Sequence, residues 1–368
     1  MQSCRSRSRK LSRGPREYKV THKVVESDAI TSFYLEPTDG RSVPVFLPGQ
    51  FLTVDLNSNT GELVRRTYSL SCGTDVQNSY RISVKREAEG IGSRILHDTV
   101  QEGDRLSIHD PTGDFVLDST STRPVVLLSG GVGLTPLVSM LHALADEGER
   151  NVFFVHACDD GRVHALGEEV RMLASRSDRV TVHVCYRNPG DEDVAGRDYD
   201  SQGLVSKEIL QRLLPIDDYD VYLCGPTVFM QAMYDLLTDL GVAENRIAYE
   251  YFGSGAPLAP SSQSKAIKEE PKMKGTAPAS KADGLPVVTF ANSGVSTTWD
   301  DSCSSLLELA EAQGLSPDFS CRVGVCNTCE CNVREGELRY AEEPLEKPEP
   351  GRALICCSVP VSDIVLEV

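Results

Sequence analysis

The chain has 368 residues, of which 40% are hydrophobic, and its formal net charge at pH 7 is −17. That length predicts two or three globular domains. No apolar run reaches the length needed to span a bilayer, so we expect a soluble protein with no membrane partner. The excess of acidic residues argues against nucleic acid as a partner, because like charges repel.

The twelve cysteines indicate a reducing compartment rather than a disulfide framework. Five of them lie between Cys303 and Cys331, and others are scattered singly along the chain. No secretory signal is visible, so stable disulfides are not expected. We therefore predict a cytoplasmic protein.

Residues 1–16 predict a disordered basic tail. They contain six Lys or Arg residues and no acidic residue. A mitochondrial leader has a similar composition but needs an apolar face, and Leu11 is almost the only apolar residue available. The stub of a lost upstream domain is a further alternative.

Residues 17–120 predict a small antiparallel β-barrel. Short alternating segments are separated by Gly, Pro, Asn and Asp residues, which is typical of such barrels. A short helix is predicted over 93–99, opened by Gly92 and Ser93, and a helix start after glycines is a favourable anion site. The predicted strands cover 18–25, 30–35, 50–56, 66–70, 80–86 and 105–109.

Residues 121–253 predict an α/β domain with a parallel sheet, whose ligands bind beyond the C-terminal ends of the strands. Apolar strands alternate with helices, and Pro136 lies in the first turn of one helix, where proline is tolerated. The predicted strands cover 124–128, 151–157, 180–186, 219–224 and 246–250. The predicted helices cover 135–146, 165–174, 207–214 and 228–240.

Residues 254–283 predict a flexible linker, because prolines recur among serines, alanines and lysines. The remaining residues, 284–368, predict a third, α+β domain with strands over 287–290 and 364–368 and a helix over 305–312. From Asp283 onward the chain holds 15 acidic and 5 basic residues. This acidic module favours a basic protein surface as its partner.

A cysteine motif in the third domain is the strongest chemical signal in the chain. Cys321, Cys326 and Cys329 have C-x4-C-x2-C spacing, which is the plant-type pattern for a [2Fe-2S] cluster held by four thiolates. The fourth thiolate comes from Cys356 or Cys357, since adjacent residues on a strand point to opposite sides. A zinc site or disulfides are the alternatives.

Two further groups of motifs are weak singly and informative by their order. The barrel contains Arg66-Thr67-Tyr68-Ser69 and Gly90-Ile91-Gly92-Ser93. Their aromatic face, hydroxyls, arginine guanidinium and backbone N–H groups are suited to binding a planar ring and an anion. The α/β domain contains Gly130-Gly131-Val132-Gly133 and Cys224-Gly225-Pro226, each following a strand. These permit close approach of a dinucleotide, although the six-residue glycine fingerprint is absent. As alternatives, Tyr68 is barrel core and Cys224 a small buried hydrophobe.

In this order the motifs of residues 18–253 resemble the ferredoxin-NADP reductase superfamily, most closely the reductase half of flavohaemoglobins. Residues 284–368 resemble plant-type ferredoxins, whose β-grasp fold is then expected and whose last ligand stands four residues before a proline. That relation to Pro360 selects Cys356 as the fourth ligand. The combined order of flavin, nicotinamide and ferredoxin domains is that of phthalate dioxygenase reductases.

The resemblance implies roles for individual residues. Tyr68 packs on the flavin ring, Ser69 hydrogen-bonds near its reactive nitrogen, and Arg66 meets the flavin phosphate. Ser69, Cys224 and Glu250 are the predicted catalytic residues. The other predicted cofactor-binding residues are Thr67, Val84, Lys85, Gly90, Gly92, Ser93, Gly130, Gly131, Gly133, Thr135, Gly225, Pro226 and Phe252.

The resemblance favours FAD over FMN and NADH over NADPH. Phthalate dioxygenase reductases use FMN, and Arg187 after a predicted strand is a possible contact for the additional phosphate of NADPH. A flavin converts a two-electron hydride donor into a one-electron source for a cluster. We therefore expect a monomeric NAD(P)H:acceptor oxidoreductase that passes electrons through FAD and [2Fe-2S] to an oxygenase, demethylase or similar protein. The alternatives are a reductase of a haem protein or small acceptor, and a non-enzymatic cluster-based redox sensor.

Overall fold

A computed structural model describes residues 15–57, 61, 63–74, 78–88, 90–252, 258, 285–300, 303, 305–315, 317, 319, 324, 329–341, 344 and 347–368. Within these ranges it contains three sheets of five or six strands and one additional strand pair. Among the same residues, every helix is too short or too polar to cross a lipid bilayer.

The first domain is an antiparallel six-stranded sheet with the order β4-β3-β6-β1-β2-β5. An isolated bridge between Leu70 and Ile82 joins the two ends of this order, so the sheet curls into a barrel. Alternate residues such as Val20, Leu52 and Val54 fill its core. The elements are β1 (Arg16–Val25), β2 (Ile30–Pro37), β3 (Phe51–Asn57), β4 (Leu63–Ser69), β5 (Tyr80–Lys85), α1 (Ile91–Asp98) and β6 (Arg105–Ile108).

The second domain is a parallel six-stranded sheet with the order β10-β9-β8-β7-β11-β12. Every residue of the interior strands β7 and β11 is buried, as expected when helices cover both faces. The elements are β7 (Val125–Gly130), α2 (Leu134–Glu147), β8 (Val152–Cys158), α3 (Gly167–Ala174), β9 (Val180–Tyr186), β10 (Ser201–Gln202), α4 (Lys207–Leu213), β11 (Asp220–Cys224), α5 (Thr227–Asp239) and β12 (Ile247–Glu250).

The order in which successive strands are added to this sheet reverses at β7. Strands β8 and β9 follow on one side of β7, whereas β11 and β12 follow on the other. Such a switch point opens a crevice beyond the C-terminal strand ends. The predicted nicotinamide motifs occupy both sides of it, since Gly130 ends β7 and Cys224 ends β11.

The third domain is a mixed sheet packed against one helix within the described residues. The sheet has the order β14-β13-β19-β15-β17, with β13 and β19 parallel, and β16 and β18 form a separate pair. Leu306 and Leu309 of the helix pack with Val288, Phe290 and Leu366 of the sheet. The elements are β13 (Val287–Phe290), β14 (Val295–Thr298), α6 (Leu306–Ala312), β15 (Glu330–Glu335), β16 (Leu338–Tyr340), β17 (Arg352–Leu354), β18 (Ser358–Pro360) and β19 (Ile364–Leu366).

Candidate functional site

The predicted flavin strand is the second half of β4. Tyr68 and Ser69 pair with Leu52 and Phe51 of β3, at the point where β4 ends. Ser69 is buried, and burial raises the pKa of the half-buried Tyr68 above its usual value. Arg66 is exposed, and its guanidinium donates to the carbonyl of Arg65 at 2.6 Å. This strand end therefore presents a neutral phenol, a hydroxyl and an exposed cation.

The N-terminus of α1 lies directly against this strand. Helix α1 begins at Ile91 rather than at the predicted Ser93, so Gly92 lies within its first turn. A Cβ atom at Gly92 would come within 2.6 Å of the Arg66 Cγ and 3.1 Å of the Tyr68 hydroxyl. Backbone N–H groups and an arginine here suit the anionic phosphate of a flavin, so the residues fit the group that the sequence predicts.

Several other predicted flavin residues have structural partners of their own. Ser93 Oγ accepts from the Glu87 N–H at 3.1 Å and donates to the Gly90 carbonyl at 3.3 Å. Lys85 pairs with Glu87 at 2.8 Å on the surface. The side chain of Val84 faces the barrel core, and its carbonyl lies 2.8 Å from His97 Nε2. The side chain of Val84 is thus part of the barrel core and cannot contact a ligand.

The predicted nicotinamide loop packs onto the end of β11. Gly131 adopts a positive φ of 53°, and a Cβ atom at Gly133 would lie 2.5 Å from the Cys224 carbonyl carbon. A Cβ atom at Gly225 would lie 3.0 Å from the Gly130 nitrogen. Gly133 and Gly225 therefore leave no room for a side chain, so two backbone segments meet where a dinucleotide is expected. Thr135 is buried and holds the turn by donating to Val132 O at 3.1 Å.

The three predicted catalytic residues converge at one edge of this crevice. Cys224 and Glu250 are direct neighbours on β11 and β12. The Ser69 hydroxyl, from the barrel, donates to Glu250 Oε2 at 3.5 Å. Burial raises the pKa of Glu250 to about 8, against a smaller opposing effect of Ser69. Burial also raises the pKa of the Cys224 thiol well above its ordinary value, so this thiol is neutral.

Two aromatic or apolar side chains beside this convergence are open to solvent. Phe252, two residues after Glu250, is 45% exposed. Pro226 caps the start of α5, and Val228 in the first turn of that helix is also exposed. Apolar exposure next to a buried carboxyl is consistent with a planar ring ligand covering this edge.

Of the four predicted cluster ligands, Cys329 and Cys356 are described, whereas Cys321 and Cys326 lie outside the described residues. Cys329 is 4% exposed and Cys356 is 7% exposed. The Ile355 N–H donates to the Cys329 carbonyl at 3.4 Å, so the backbones of both predicted ligands lie close together. The neighbouring Cys357 thiol points to the Leu354 carbonyl at 3.6 Å and lies against Gly324. Two buried cysteines on neighbouring backbone segments fit an iron–sulfur cluster.

Sequence reasoning missed two ion pairs near these sites. Arg187, predicted as a possible NADPH contact, binds Asp159 at 2.7 Å. Arg81 of β5 binds Glu169 of α3, which joins the barrel to the α/β domain. No motif marks either pair, because the partners are distant in the sequence or lie in separate loops.

Comparison with known proteins gives three family matches in chain order. Residues 17–117 match the oxidoreductase FAD-binding domain, residues 127–235 the oxidoreductase NAD-binding domain, and residues 288–361 the 2Fe-2S iron-sulfur cluster binding domain. Each match falls on one of the three sheets described above.

Curated relatives match the first two domains. A flavohemoprotein of Bacillus cereus (strain ATCC 10987 / NRS 248) is 45% identical over 251 residues, which cover 66% of this chain and 62% of that protein. A flavohemoprotein of Bordetella pertussis is 47% identical over 247 residues, covering 66% and 61% respectively. The chain therefore spans about three fifths of the length of these relatives.

Solved structures extend the likeness to the whole chain. The flavohem-like FAD/NAD-binding domain of nitric oxide dioxygenase from Vibrio cholerae O1 biovar El Tor is 37% identical with a TM-score of 0.60, covering 65% of this chain and 99% of that one. Phthalate dioxygenase reductase is 26% identical with a TM-score of 0.56, covering 96% of this chain and 98% of that one.

The chain belongs to the ferredoxin-NADP reductase superfamily. Within it, flavohaemoglobin-type FAD- and NAD-binding domains precede a C-terminal [2Fe-2S] ferredoxin domain, in the order found in phthalate dioxygenase reductase. The predicted fold class and the three predicted cofactor-binding domains are confirmed. The individual site residues and the domain boundaries stay predictions.

Proposed function

We propose that this chain is an NADH-dependent reductase that delivers electrons through FAD and a [2Fe-2S] cluster to a protein acceptor such as an oxygenase or demethylase component. The observation that carries this proposal is the convergence of Ser69, Cys224 and Glu250 between the flavin and nicotinamide domains. The solved phthalate dioxygenase reductase, a modular structure for electron transfer from pyridine nucleotides to [2Fe-2S], has the same domain order.

A bound flavin accepts two electrons as a hydride and releases them singly, which matches a nicotinamide donor to a one-electron cluster. The surrounding residues bind and orient rather than react. Arg66, Gly92 and Ser93 would hold the flavin phosphate, and Tyr68 would cover one face of its ring. The Gly130–Gly133 loop and Gly225 would hold the dinucleotide along the backbone.

Glu250 and Cys224 keep the site nearly uncharged at neutral pH. With a pKa of about 8, Glu250 is mostly protonated at pH 7 and can exchange hydrogen bonds with Ser69 without a full negative charge. The buried thiol of Cys224 is neutral for the same reason, which is desolvation. A nicotinamide ring would therefore enter a site that carries little charge of its own at neutral pH.

The Asp159–Arg187 pair supports NADH rather than NADPH. Asp159 and Asp160 follow the C-terminal end of β8, where the ribose of a dinucleotide is expected. Arg187 is held at 2.7 Å from Asp159, and Arg162 at 2.6 Å from Asp160, so both cations are already paired. A 2′-phosphate would meet carboxylates there, whereas a ribose hydroxyl can donate to one of them.

The acceptor is proposed to be a protein with a basic surface, and the chain is proposed to act as a monomer. The third domain has more acidic than basic residues, with 15 acidic and 5 basic residues from Asp283 onward. Opposite charges accelerate the encounter of redox partners. These acidic residues belong to the domain that would hold the cluster, from which electrons would leave.

A matched pair of cysteine variants tests the electron path. Cys356→Ser is expected to abolish cluster absorption and cytochrome c reduction, while ferricyanide reduction by the flavin persists. Cys357→Ser is expected to keep both activities, because that thiol already contacts the Leu354 carbonyl. Equal cytochrome c reduction by wild type and Cys356→Ser would refute the path through the cluster.

A further inference from the structure

A buried ion pair joins the flavin barrel to the nicotinamide domain. The Arg81 guanidinium donates to both oxygens of Glu169, at 2.6 Å and 2.8 Å. The two side chains are 8% and 18% exposed. Arg81 belongs to β5 and Glu169 to α3, so this bidentate pair crosses between domains whose predicted sites must face each other.

On the barrel side, Arg81 holds the segment that follows the predicted flavin strand. Its Nε donates to Ser71 Oγ at 3.2 Å, and its NH2 group donates to the Ser71 carbonyl. Ser71 is two residues beyond Ser69. Its hydroxyl lies 2.8 Å from that of Ser83, which lies 2.7 Å from that of Ser32. This row of buried hydroxyls fixes Ser71 within the barrel.

On the other side, Glu169 holds the helix that follows the nicotinamide loop. His142 Nε2, on α2, lies 2.6 Å from Glu169 Oε1. Helix α2 begins directly after Gly133. A continuous chain of polar contacts therefore runs from Ser71 through Arg81 and Glu169 to the helix that carries the dinucleotide loop.

The pair is charged over the working range of pH. Burial by itself would raise the pKa of Glu169, but hydrogen bonds from His142 and Arg81 outweigh it and hold the value at about 2. A buried ion pair generally adds little stability compared with well-packed apolar residues, whereas its fixed bidentate geometry can specify an arrangement. The orientation of the two domains is a property that such geometry can fix.

Building on the function proposed above, we propose that Arg81 and Glu169 are positioning residues for hydride transfer. They help to set the orientation of the nicotinamide domain against the flavin strand, because they form two charged hydrogen bonds. By comparison, Ser69 and Glu250 form a single hydrogen bond of 3.5 Å, and the Asp28 N–H donates a single one of 2.9 Å to the Arg162 carbonyl. Neither Arg81 nor Glu169 needs to touch a cofactor. Misplacement of reacting atoms by about 1 Å can lower a rate about 100-fold.

The test compares Glu169→Gln and Arg81→Lys with wild type in the full-length holoprotein. Lysine keeps the charge of Arg81 but loses its two-pronged geometry. Asp98→Asn is the matched control, since Arg86 binds Asp98 through two bonds of 2.9 Å within the barrel alone. Anaerobic stopped-flow mixing with NADH gives the limiting rate of flavin reduction and the NADH dissociation constant separately, per bound flavin.

We expect both interdomain variants to lower the limiting rate about 10-fold or more, with the NADH dissociation constant changed less than about threefold. Asp98→Asn should match wild type in both quantities. Hydrogen exchange supplies a second readout, in which peptides covering 66–71 and 247–252 should exchange faster in the interdomain variants only. Should one variant fail to fold, the other still decides the result.

A limiting rate within twofold of wild type in a folded interdomain variant, with unchanged exchange of these peptides, would overturn the positioning role. A parallel loss of rate and NADH affinity would overturn it too, because it would indicate general loosening of the nicotinamide site. If wild type itself fails to reduce its flavin with NADH, the proposed function fails, and hydrogen exchange alone then decides whether the pair fixes the domains.

Discussion

Two of the side-chain contacts that join the flavin and nicotinamide domains differ in strength and in charge. Arg81 and Glu169 are fully charged and form two short hydrogen bonds, whereas Ser69 and Glu250 form one bond of 3.5 Å, with a carboxyl whose pKa of about 8 keeps it mostly neutral at pH 7. A charged pair resists rearrangement, and a neutral pair can exchange partners easily. The difference indicates that the Arg81–Glu169 pair orients the two domains, whereas the Ser69–Glu250 contact serves the chemistry at the flavin.

The largest effect is expected from adding a methyl group where the nicotinamide loop meets β11. In Gly133→Ala the new Cβ atom would lie 2.5 Å from the Cys224 carbonyl carbon, and backbone on both sides must move. We expect a stability loss of about 2–4 kcal/mol and loss of detectable NADH binding, measured by urea unfolding and by titration.

Gly131→Ala is the matched control in the same loop. Its φ of 53° disfavours alanine, but open space surrounds it, so a loss of only about 1 kcal/mol is expected. If Gly133→Ala proves as stable as Gly131→Ala, the close approach of loop and strand is not a constraint on the site.

The second prediction concerns the contact between Ser69 and Glu250, and the size of its effect depends on pH. The pKa of Glu250 is raised in the folded protein, from 4.5 to about 8, so its burial begins to oppose folding as pH rises above 4.5. That penalty is complete above pH 8 and absent at pH 4. Glu250→Gln should therefore gain stability relative to wild type at pH 9, by up to about 5 kcal/mol, and almost nothing at pH 4.

Flavin reduction should follow the same titration. The wild-type limiting rate is expected to change as pH rises through about 8, whereas Glu250→Gln should show a flat profile over this range. Urea unfolding at the two pH values and stopped-flow reduction across the range provide the measurements. An identical pH profile in the variant would show that another group is responsible.

A smaller effect is expected from Ser69→Ala, which removes the barrel side of the same contact. Loss of one hydrogen-bonding group positioned at the flavin should lower the limiting rate of flavin reduction about 10-fold. Thermal stability should change little, because the partner carboxyl can stay protonated. An unchanged rate would assign Ser69 to the barrel structure alone.

The smallest effect concerns the choice of nicotinamide. Asp159→Asn should release Arg187 from its 2.7 Å ion pair and raise kcat/KM for NADPH about fivefold. Asp160→Asn, which releases Arg162 in the same turn, is the control. Equal gains in both variants would mean that net charge rather than Arg187 controls the preference.

Much of the fold follows from the sequence because its pattern is regular. Alternating residues predicted the barrel strands, and apolar runs predicted the buried interior strands of the parallel sheet. The strand predicted over 124–128, for example, is β7 (Val125–Gly130). The start of α1 was placed two residues late, because Gly92 resembles a helix breaker and was not expected inside the first turn.

The third domain was predicted less completely, for a physical reason. Strand β15, with the sequence ECNVRE, has few apolar residues, and β17 and β18 have three residues each. Such strands form because neighbouring strands pair with them, and no local sequence pattern predicts them. The same limit applies to Arg81 and Glu169, which are 88 residues apart and meet only after both domains have folded.

The most direct measurement of the central claim is an anaerobic titration of the purified protein with NADH, following flavin and cluster absorption together with the paramagnetic signal of a reduced cluster. The account predicts that both chromophores bleach and that the cluster signal appears in proportion to the NADH added. Bleaching of the flavin alone, with a fully loaded cluster that stays oxidised, would contradict it.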